Sequence, residues 1–289
     1  MEGGREAMTT ALYVVATPLG NLGDISLRGV DTLRRADVIA CEDTRHTRRL
    51  LDHLQIRAPL IAVHEHNEAA AAQKLLDLLA AGKAVVLVSD AGTPGICDPG
   101  ARVVNAVRAA GHGVVPVPGA NAAIAALSVA GLDDPHFLFC GFLPAKAAAR
   151  QQAIAALKEV AAALVFYEAP HRIVATVNDL ATVLEPERQL LIARELTKLF
   201  EETVRLPLAE APAWLAADEN HRRGEFVLVV SAPPPGPALP PAAARTLELL
   251  LTELPLAQAV KLAAGISGVA RSTLYEQALA WRRASDAEA

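Results

Sequence analysis

Ala84-Val-Val-Leu-Val-Ser-Asp-Ala-Gly-Thr-Pro-Gly-Ile-Cys-Asp-Pro-Gly100 is the stretch on which the fold turns. Its opening run, Ala84–Val88, is continuously apolar, as expected of a strand buried on both faces of a parallel sheet. The loop that follows is rich in glycine and proline, which set the backbone while offering little cationic charge. Similar runs recur outward at Leu12–Ala16, Val38–Cys41, Leu60–Val63 and Val114–Val117. Between them lie helical stretches near Ser26–Ala36, Thr44–Leu54, Asn67–Ala81 and Gly100–Ala110. This alternation predicts a parallel sheet covered by helices. Two further glycine–proline loops, Thr17–Asp24 and Pro116–Ala122, also follow strand runs. Ligands of open α/β sheets bind beyond the carboxyl ends of the strands, so three such loops predict a built pocket. Its chemistry suits an uncharged or positively charged ligand better than a triphosphate.

After Ala122–Ala130 the rhythm changes. Strand runs at Phe137–Cys140, Ala163–Phe166, Leu190–Ala193 and Phe226–Val230 alternate with helical stretches near Ala147–Val160, Arg172–Leu184 and Leu208–Asp218. The expected fold class is α/β, with two α/β domains and a small helical tail. The expected boundaries are a frayed leader over 1–10, domains over 11–119 and 120–231, a proline-rich linker over 232–241 and a helical domain over 242–289. Within the tail, Leu247, Leu250, Leu251 and Leu254 share one face, and Ala263-Ala-Gly-Ile-Ser-Gly-Val-Ala-Arg-Ser-Thr-Leu274 reads as helix, turn, helix. Residues 242–283 carry a net charge of +2 on a chain that is −5 overall. A nucleic-acid contact opening at Arg271 and a helical cap or dimer brace are equally compatible with that pattern.

Composition narrows the class. With 52% hydrophobic and 20% charged residues over 289 positions, the chain is a globular protein rather than a disordered one. A charge of −5 excludes coating nucleic acid by bulk charge but leaves room for a local basic patch. Three cysteines, Cys41, Cys97 and Cys140, form no CxxC and no disulfide framework, which predicts a reducing cytoplasmic setting and no metal site. His64-Glu-His66 supplies too few ligands for zinc. No run is long enough to span a membrane, and 1–10 lacks the apolar core of a signal peptide. GxGxxG fails because Pro116 stands where the third glycine belongs, and Gly95–Gly100 continues into Ala101-Arg102 without the P-loop lysine. HExxH and GxSxG are absent.

Seven collinear motifs remain: TPLGNLGD (17–24), CEDTRHTRRLL (41–51), SDAGTPGICDPG (89–100), VPGANAA (117–123), FYEAPHR (166–172), ARELTKLFEE (193–202) and GEFVLVV (224–230). Together they resemble the tetrapyrrole-methylase-like, S-adenosylmethionine-dependent methyltransferases. More narrowly, they resemble the branch that 2′-O-methylates a cytidine of 16S ribosomal RNA in the decoding region of the small subunit. The resemblance implies a cofactor cleft between the two α/β domains and a homodimer. It implies cofactor contacts from Pro18, Ser89, Asp90, Ala91, Gly92, Thr93, Ile96, Asn121 and Ala122. Opposite them it implies Tyr167, Glu168, Leu196, Glu225 and Phe226.

Methyl transfer to a ribose oxygen needs in-line alignment and an acceptor for the hydroxyl proton. Glu168, His171, Glu195 and Asp90 are the candidate bases, with Lys198 as an electrostatic partner. Each has a plainer reading: His171 and Arg172 as solvated helix-start residues, Glu195 and Lys198 as a surface pair. Arg45, Arg48 and Arg49 fall within about one helical turn and would contact RNA phosphate, beside the first loop in the expected strand order. Aromatics are 4% of the chain, so ring stacking is not its main hold on RNA. Two other functions fit parts of the pattern. A tetrapyrrole methyltransferase would need neither the Arg45–Arg49 cluster nor the tail. A ligand-sensing regulator would bind double-stranded DNA and turn nothing over.

Overall fold

Leu12, Val85 and Leu87 bury one face of the first sheet, while Val15, Val86 and Val88 bury the other, which is why these strands read as unbroken apolar runs. The computed structural model describes residues 8–64, 67–234 and 239–288; most of the leader, His66 and the middle of the proline-rich segment lie outside them. Strands β1 (Ala11–Val15), β2 (Val38–Cys41), β3 (Leu60–Ala62), β4 (Val85–Leu87) and β5 (Gly113–Val117) form a sheet in the order β3-β2-β4-β1-β5. All neighbours are parallel. Helices α1 (Leu27–Arg35) and α2 (Thr44–His53) contribute Leu33 and Leu51 to one face. Helices α3 (Glu68–Ala80) and α4 (Ala101–Ala109) contribute Leu75, Leu79, Val103 and Val107 to the other.

The strand order sets β4, β1 and β5 side by side, so the three glycine–proline loops leave adjacent strands. One expectation is corrected here. β4 lies between β1 and β2, so the Arg45–Arg49 segment adjoins the second loop rather than the first. The Asp43 N–H donates to Asp90 Oδ1 at 3.0 Å across that junction.

Helix α5 (Ala122–Ala130) leaves the first sheet and lays Ala123, Ala126 and Ala130 on Val165, Ala193 and Val227 of the second. The second sheet contains β6 (Phe137–Phe142), β7 (Ala163–Glu168), β8 (Gln189–Arg194), β9 (Glu202–Pro207) and β10 (Phe226–Val230), in the order β6-β7-β10-β8-β9. Only β6 and β7 pair in parallel. Helices α6 (Ala147–Leu157), α7 (Ile173–Val183) and α8 (Ala211–Ala217) cover its outer face through Ile154, Val177, Leu180 and Leu215. β9 has no counterpart among the expected strands. It is an edge strand in which Val204 and Leu206 pack on the core and Thr203 and Arg205 face outward, and two charged residues dilute the pattern.

The chain forms two compact units, one up to Pro233 and one from Pro234. The second contains α9 (Pro241–Glu253), α10 (Leu256–Ser267) and α11 (Arg271–Glu288) around Leu247, Val260, Leu274 and Ala278. Gly268, at φ +70, ends α10 in the left-handed conformation, and a short turn leads to Arg271 at the start of α11. No helix of the described residues is long and apolar enough to cross a membrane.

Candidate functional site

Three loops meet because their backbones bond to one another. Thr17 and Gly92 exchange N–H···O bonds of 2.8 and 3.0 Å, joining the loop after β1 to that after β4. The Thr17 hydroxyl donates to Ser89 O, and the Thr93 hydroxyl donates to Ala120 O at 3.0 Å, joining the loops after β4 and β5. Asn121 then caps α5 by accepting the Ile124 N–H. The result is a rigid ledge facing the second sheet.

Between ledge and sheet lies a cavity of about 300 Å³. Leu19, Ala91, Gly92, Thr93, Ile96, Cys97 and Asp98 line it from the first side, with Asn121 and Ala122 at the start of α5. From the second sheet come Phe142, Tyr167, Glu168, Ala193, Leu196, Lys198, Glu225, Phe226 and Val227. Among the described residues Lys198 is the only cationic side chain on the wall, and it is already paired: its ammonium donates to Glu195 Oε1 at 2.9 Å and to Glu225 Oε2 at 2.8 Å. No free cation therefore awaits a phosphate. Carboxylates and apolar side chains make a cavity fitted to a cationic or neutral ligand with a flat apolar part.

Most of the residues expected to touch the cofactor reach this wall. Ala91, Gly92, Thr93, Ile96, Asn121, Ala122, Tyr167, Glu168, Leu196, Glu225 and Phe226 all line it. Pro18 is buried behind Leu19, which faces the cavity in its place. Ser89 is buried beneath the ledge, its hydroxyl donating to Ala91 O and Gly92 O, and Asp90 turns towards Asp43. These three position the loops from behind rather than line the space.

The candidate bases separate by their partners. Glu168 is buried, and its carboxylate accepts the Ala169 N–H at 2.8 Å and the Thr176 hydroxyl at 2.6 Å, with Arg172 Nε 3.1 Å away. Both oxygens are engaged in fastening α7 to β7, which corrects the reading of Glu168 as a free base. His171 is exposed in the turn before α7 and does not line the cavity. Burial pushes the Glu195 carboxyl up, but the Glu225 N–H and the Lys198 ammonium outweigh it and hold the group below its ordinary value. Burial likewise disfavours the Lys198 ammonium, and bonds to Glu225 and Glu195 reverse this, keeping it charged. Glu195 and Thr197 hold φ of +51 and +68, rare for residues with side chains, so the turn carrying Lys198 is strained into place.

Tyr167 accepts the Ala123 N–H at 3.2 Å and stands edge-on to Phe139 and Phe142. Burial, with the charges of Cys97 and Asp98, pushes its phenol up. Cys97, Asp98 and Phe142 escaped the sequence reading, whereas Leu19 lies within the Pro18–Asn21 stretch that the resemblance implies for the floor of the cleft. Asp98 and Cys97 sit within the quoted SDAGTPGICDPG loop, where only the turn geometry distinguishes residues facing in from residues facing out.

Of the basic residues, Arg45, Arg48 and Arg49 are exposed on the first turns of α2, and Arg271 is exposed at the start of α11. Arg45 and Arg48 line a shallow hollow with Thr44 and Leu60.

Residues 11–212 match a family model described as Tetrapyrrole (Corrin/Porphyrin) Methylases, and residues 237–282 match one described as RsmI C-terminal HTH domain. Over 271 residues the chain is 50% identical to "Ribosomal RNA small subunit methyltransferase I" of Pseudomonas aeruginosa, covering 93% of this chain and 96% of that protein. It is 48% identical to the protein of the same name from Escherichia coli O157:H7, covering 93% and 94%. Among solved structures, uroporphyrin-III-C-methyltransferase from Thermus thermophilus superposes with a TM-score of 0.55 at 22% identity, covering 76% of this chain and 93% of that one. That likeness concerns the fold.

Proposed function

The chain belongs to the ribosomal RNA small subunit methyltransferase I family, within the tetrapyrrole methylases, and from that membership we propose that it 2′-O-methylates the ribose of a cytidine in the decoding region of 16S ribosomal RNA. The observation that carries the reading is that the likeness runs through both the α/β body and the helical tail. The tetrapyrrole enzyme of the same fold covers only 76% of the chain.

The cofactor of the reading is S-adenosylmethionine, which supplies a methyl group on a sulfonium. The cavity fits it by the chemistry of its wall: Asp98, Glu168 and Glu225 favour a cation, while Leu196, Phe226 and Val227 offer an apolar face to a purine. The ledge loops would hold the amino-acid end through their backbone groups, and Asn121 and Ala122 would close it from α5. Lys198, neutralised by Glu195 and Glu225, would not repel the sulfonium. Arg48 and Arg49 would position the RNA backbone beside the loop after β4. Support for a homodimer comes from the edge strand β6, which exposes Phe137 and Leu138. A ribosomal RNA substrate of this kind would put the reaction in the cytoplasm.

The test is incubation with methyl-labelled S-adenosylmethionine and either small ribosomal subunits, protein-free 16S rRNA or a porphyrinoid. Expected is label in 16S rRNA as one alkali-resistant linkage carrying a 2′-O-methylcytidine. Label on a base, label in the porphyrinoid alone, or no label overturns the reading.

A further inference from the structure

Strict alternation along β6 would set Phe142 on the face of Cys140, which packs against the core of the outer face. The ladder to β7 instead slips between Phe139 and Gly141. Phe139 pairs with Val165, Gly141 with Phe166 and Phe142 with Tyr167. Cys140 is thus the extra residue of a β-bulge, and the slip carries Phe142 to the face of Phe139 and Tyr167, which looks into the cavity. Gly141 permits the bulge at φ +66, where a Cβ would come within 3.0 Å of Cys97 Sγ. The Phe142 N–H then meets the Cys97 sulfur of the loop after β4. Its ring stands edge-on to Tyr167 with centroids 5.8 Å apart, and Tyr167 is itself braced by Phe139 and the Ala123 N–H. A side chain aimed so firmly at the cavity is nevertheless 53% exposed.

We propose that Phe142 is the platform on which the base of the target nucleotide stacks while its ribose is methylated. The inference rests on the methyltransferase reading above and assigns the substrate end of the same cavity. Phe142, Tyr167 and Val227 are direct partners across β6, β7 and β10. Val227 therefore lies about 10 Å from Phe142, at roughly 4.8 Å per strand. With the adenine on Leu196, Phe226 and Val227, the Phe142 end is left to a second flat group. The reaction supplies one, the base carried by the ribose that takes the methyl. Proteins read single-stranded RNA by splaying its bases onto aromatic rings. A base stacked on Phe142 fixes, through its glycosidic bond, where the 2′-oxygen stands relative to the methyl group. A ring accepts any base by its π-face, so Phe142 orients the nucleotide and does not choose it. One stack leaves phosphate contacts as the main hold on RNA.

The test uses the full-length protein as wild type, Phe142→Ala, Phe142→Leu and Phe142→Tyr. Calorimetry gives the affinity for S-adenosylmethionine, and methylation of small ribosomal subunits gives kcat/KM. In Phe142→Ala the cofactor affinity should stay within about threefold, while kcat/KM falls by about tenfold or more, as loss of one base–ring stack implies. Phe142→Tyr keeps a ring and should stay within about threefold of wild type. Phe142→Leu keeps bulk without a π-face and should fall with Phe142→Ala. Wild-type kcat/KM in Phe142→Ala overturns the proposal. So does Phe142→Leu matching wild type, which would make the residue a packing contact. A loss of cofactor affinity as large as the loss of kcat/KM overturns it too, by assigning the ring to the adenine. If Phe142→Ala fails to fold, Phe142→Leu against Phe142→Tyr decides. A photoreactive phenylalanine analogue at position 142, irradiated with small subunits and S-adenosylhomocysteine, should crosslink to 16S rRNA at the methylated nucleotide. A crosslink elsewhere on the RNA, or only to a second copy of the chain, overturns the proposal. A wild type that labels no RNA overturns the methyltransferase reading as well, whereas an active wild type indifferent to Phe142 overturns this inference alone.

Discussion

At the scale of residues, the turn carrying Lys198 is the most constrained part of the site. Gly224 sits at φ +90, and a Cβ there would lie 2.3 Å from Glu195 Cγ. Gly224→Ala therefore meets both a backbone penalty and a clash, and should destabilise the protein by about 2 kcal/mol or more in urea unfolding. Adding Glu195→Ala removes the clashing atom and should recover part of that loss, leaving the φ penalty. The ion pairs set a pH window. The Glu195 carboxyl is held below its ordinary 4.5, so its contribution is present above that value and fades as pH falls through the lower folded one. The Lys198 ammonium is held above its ordinary 10.5, so its contribution is present below that value and fades as pH rises through the higher folded one. The stability difference between wild type and Lys198→Met should be constant between about pH 5 and 10 and shrink on either side, as read by unfolding at each pH. A difference that grows in acid would show that Lys198 does not hold Glu195. Much of this wall was legible through the family resemblance, whose motifs implied Ala91 to Thr93, Asn121, Ala122, Tyr167, Glu168, Leu196, Glu225 and Phe226. Asp98 was not, because proximity to Ser89, Asp90 and Tyr167 is a property of the folded loop.

At the scale of elements, α2 shows how local pairing revises a charge cluster. Asp43 caps the helix by accepting the Arg45 N–H at 2.8 Å, and its carboxylate also takes the Arg45 guanidinium at 2.8 Å. That guanidinium, with the backbone N–H, holds the Asp43 carboxyl well below the usual carboxylate range. Arg45 is thus partly neutralised, whereas Arg48 and Arg49 are exposed and have no ion pair among the described residues. Arg48→Ala with Arg49→Ala should lower the salt-dependence slope of RNA binding by about 1.4, at roughly 0.7 per single-strand phosphate contact, with cofactor affinity unchanged. Arg45→Ala alone should lower it by less than either of the other two singly. Equal effects from all three would show that the Asp43 pairing leaves Arg45 free for phosphate. The strands of the first sheet were readable because burial on both faces leaves unbroken apolar runs. Their order was not, since nothing in Val38–Cys41 or Ala84–Val88 says which enters beside β1. β9 was hidden for the opposite reason: at an edge, half its side chains face water, and Glu202 and Arg205 mask the alternation.

At the scale of the molecule, each unit carries its own core. The first contains both sheets and the whole cavity wall, while the second has its core in Leu247, Val260, Leu274 and Ala278. Cofactor binding and folding of the body should therefore survive removal of the tail. A chain ending at Pro233 is expected to keep the melting temperature of the body and its affinity for S-adenosylmethionine within about threefold, since none of the residues lining the cavity is removed. Its methylation of small subunits should fall by at least about tenfold, because the tail supplies Lys261 and Arg271 on exposed helix surfaces and phosphate contacts dominate RNA affinity. Arg271→Glu in the full chain separates loss of that contact from loss of a brace. If the tail reaches RNA, the charge reversal lowers methylation while sedimentation still finds the wild-type oligomer. If the truncated chain changes oligomeric state and Arg271→Glu methylates normally, the tail acts by holding copies together and the RNA must be gripped by the body alone.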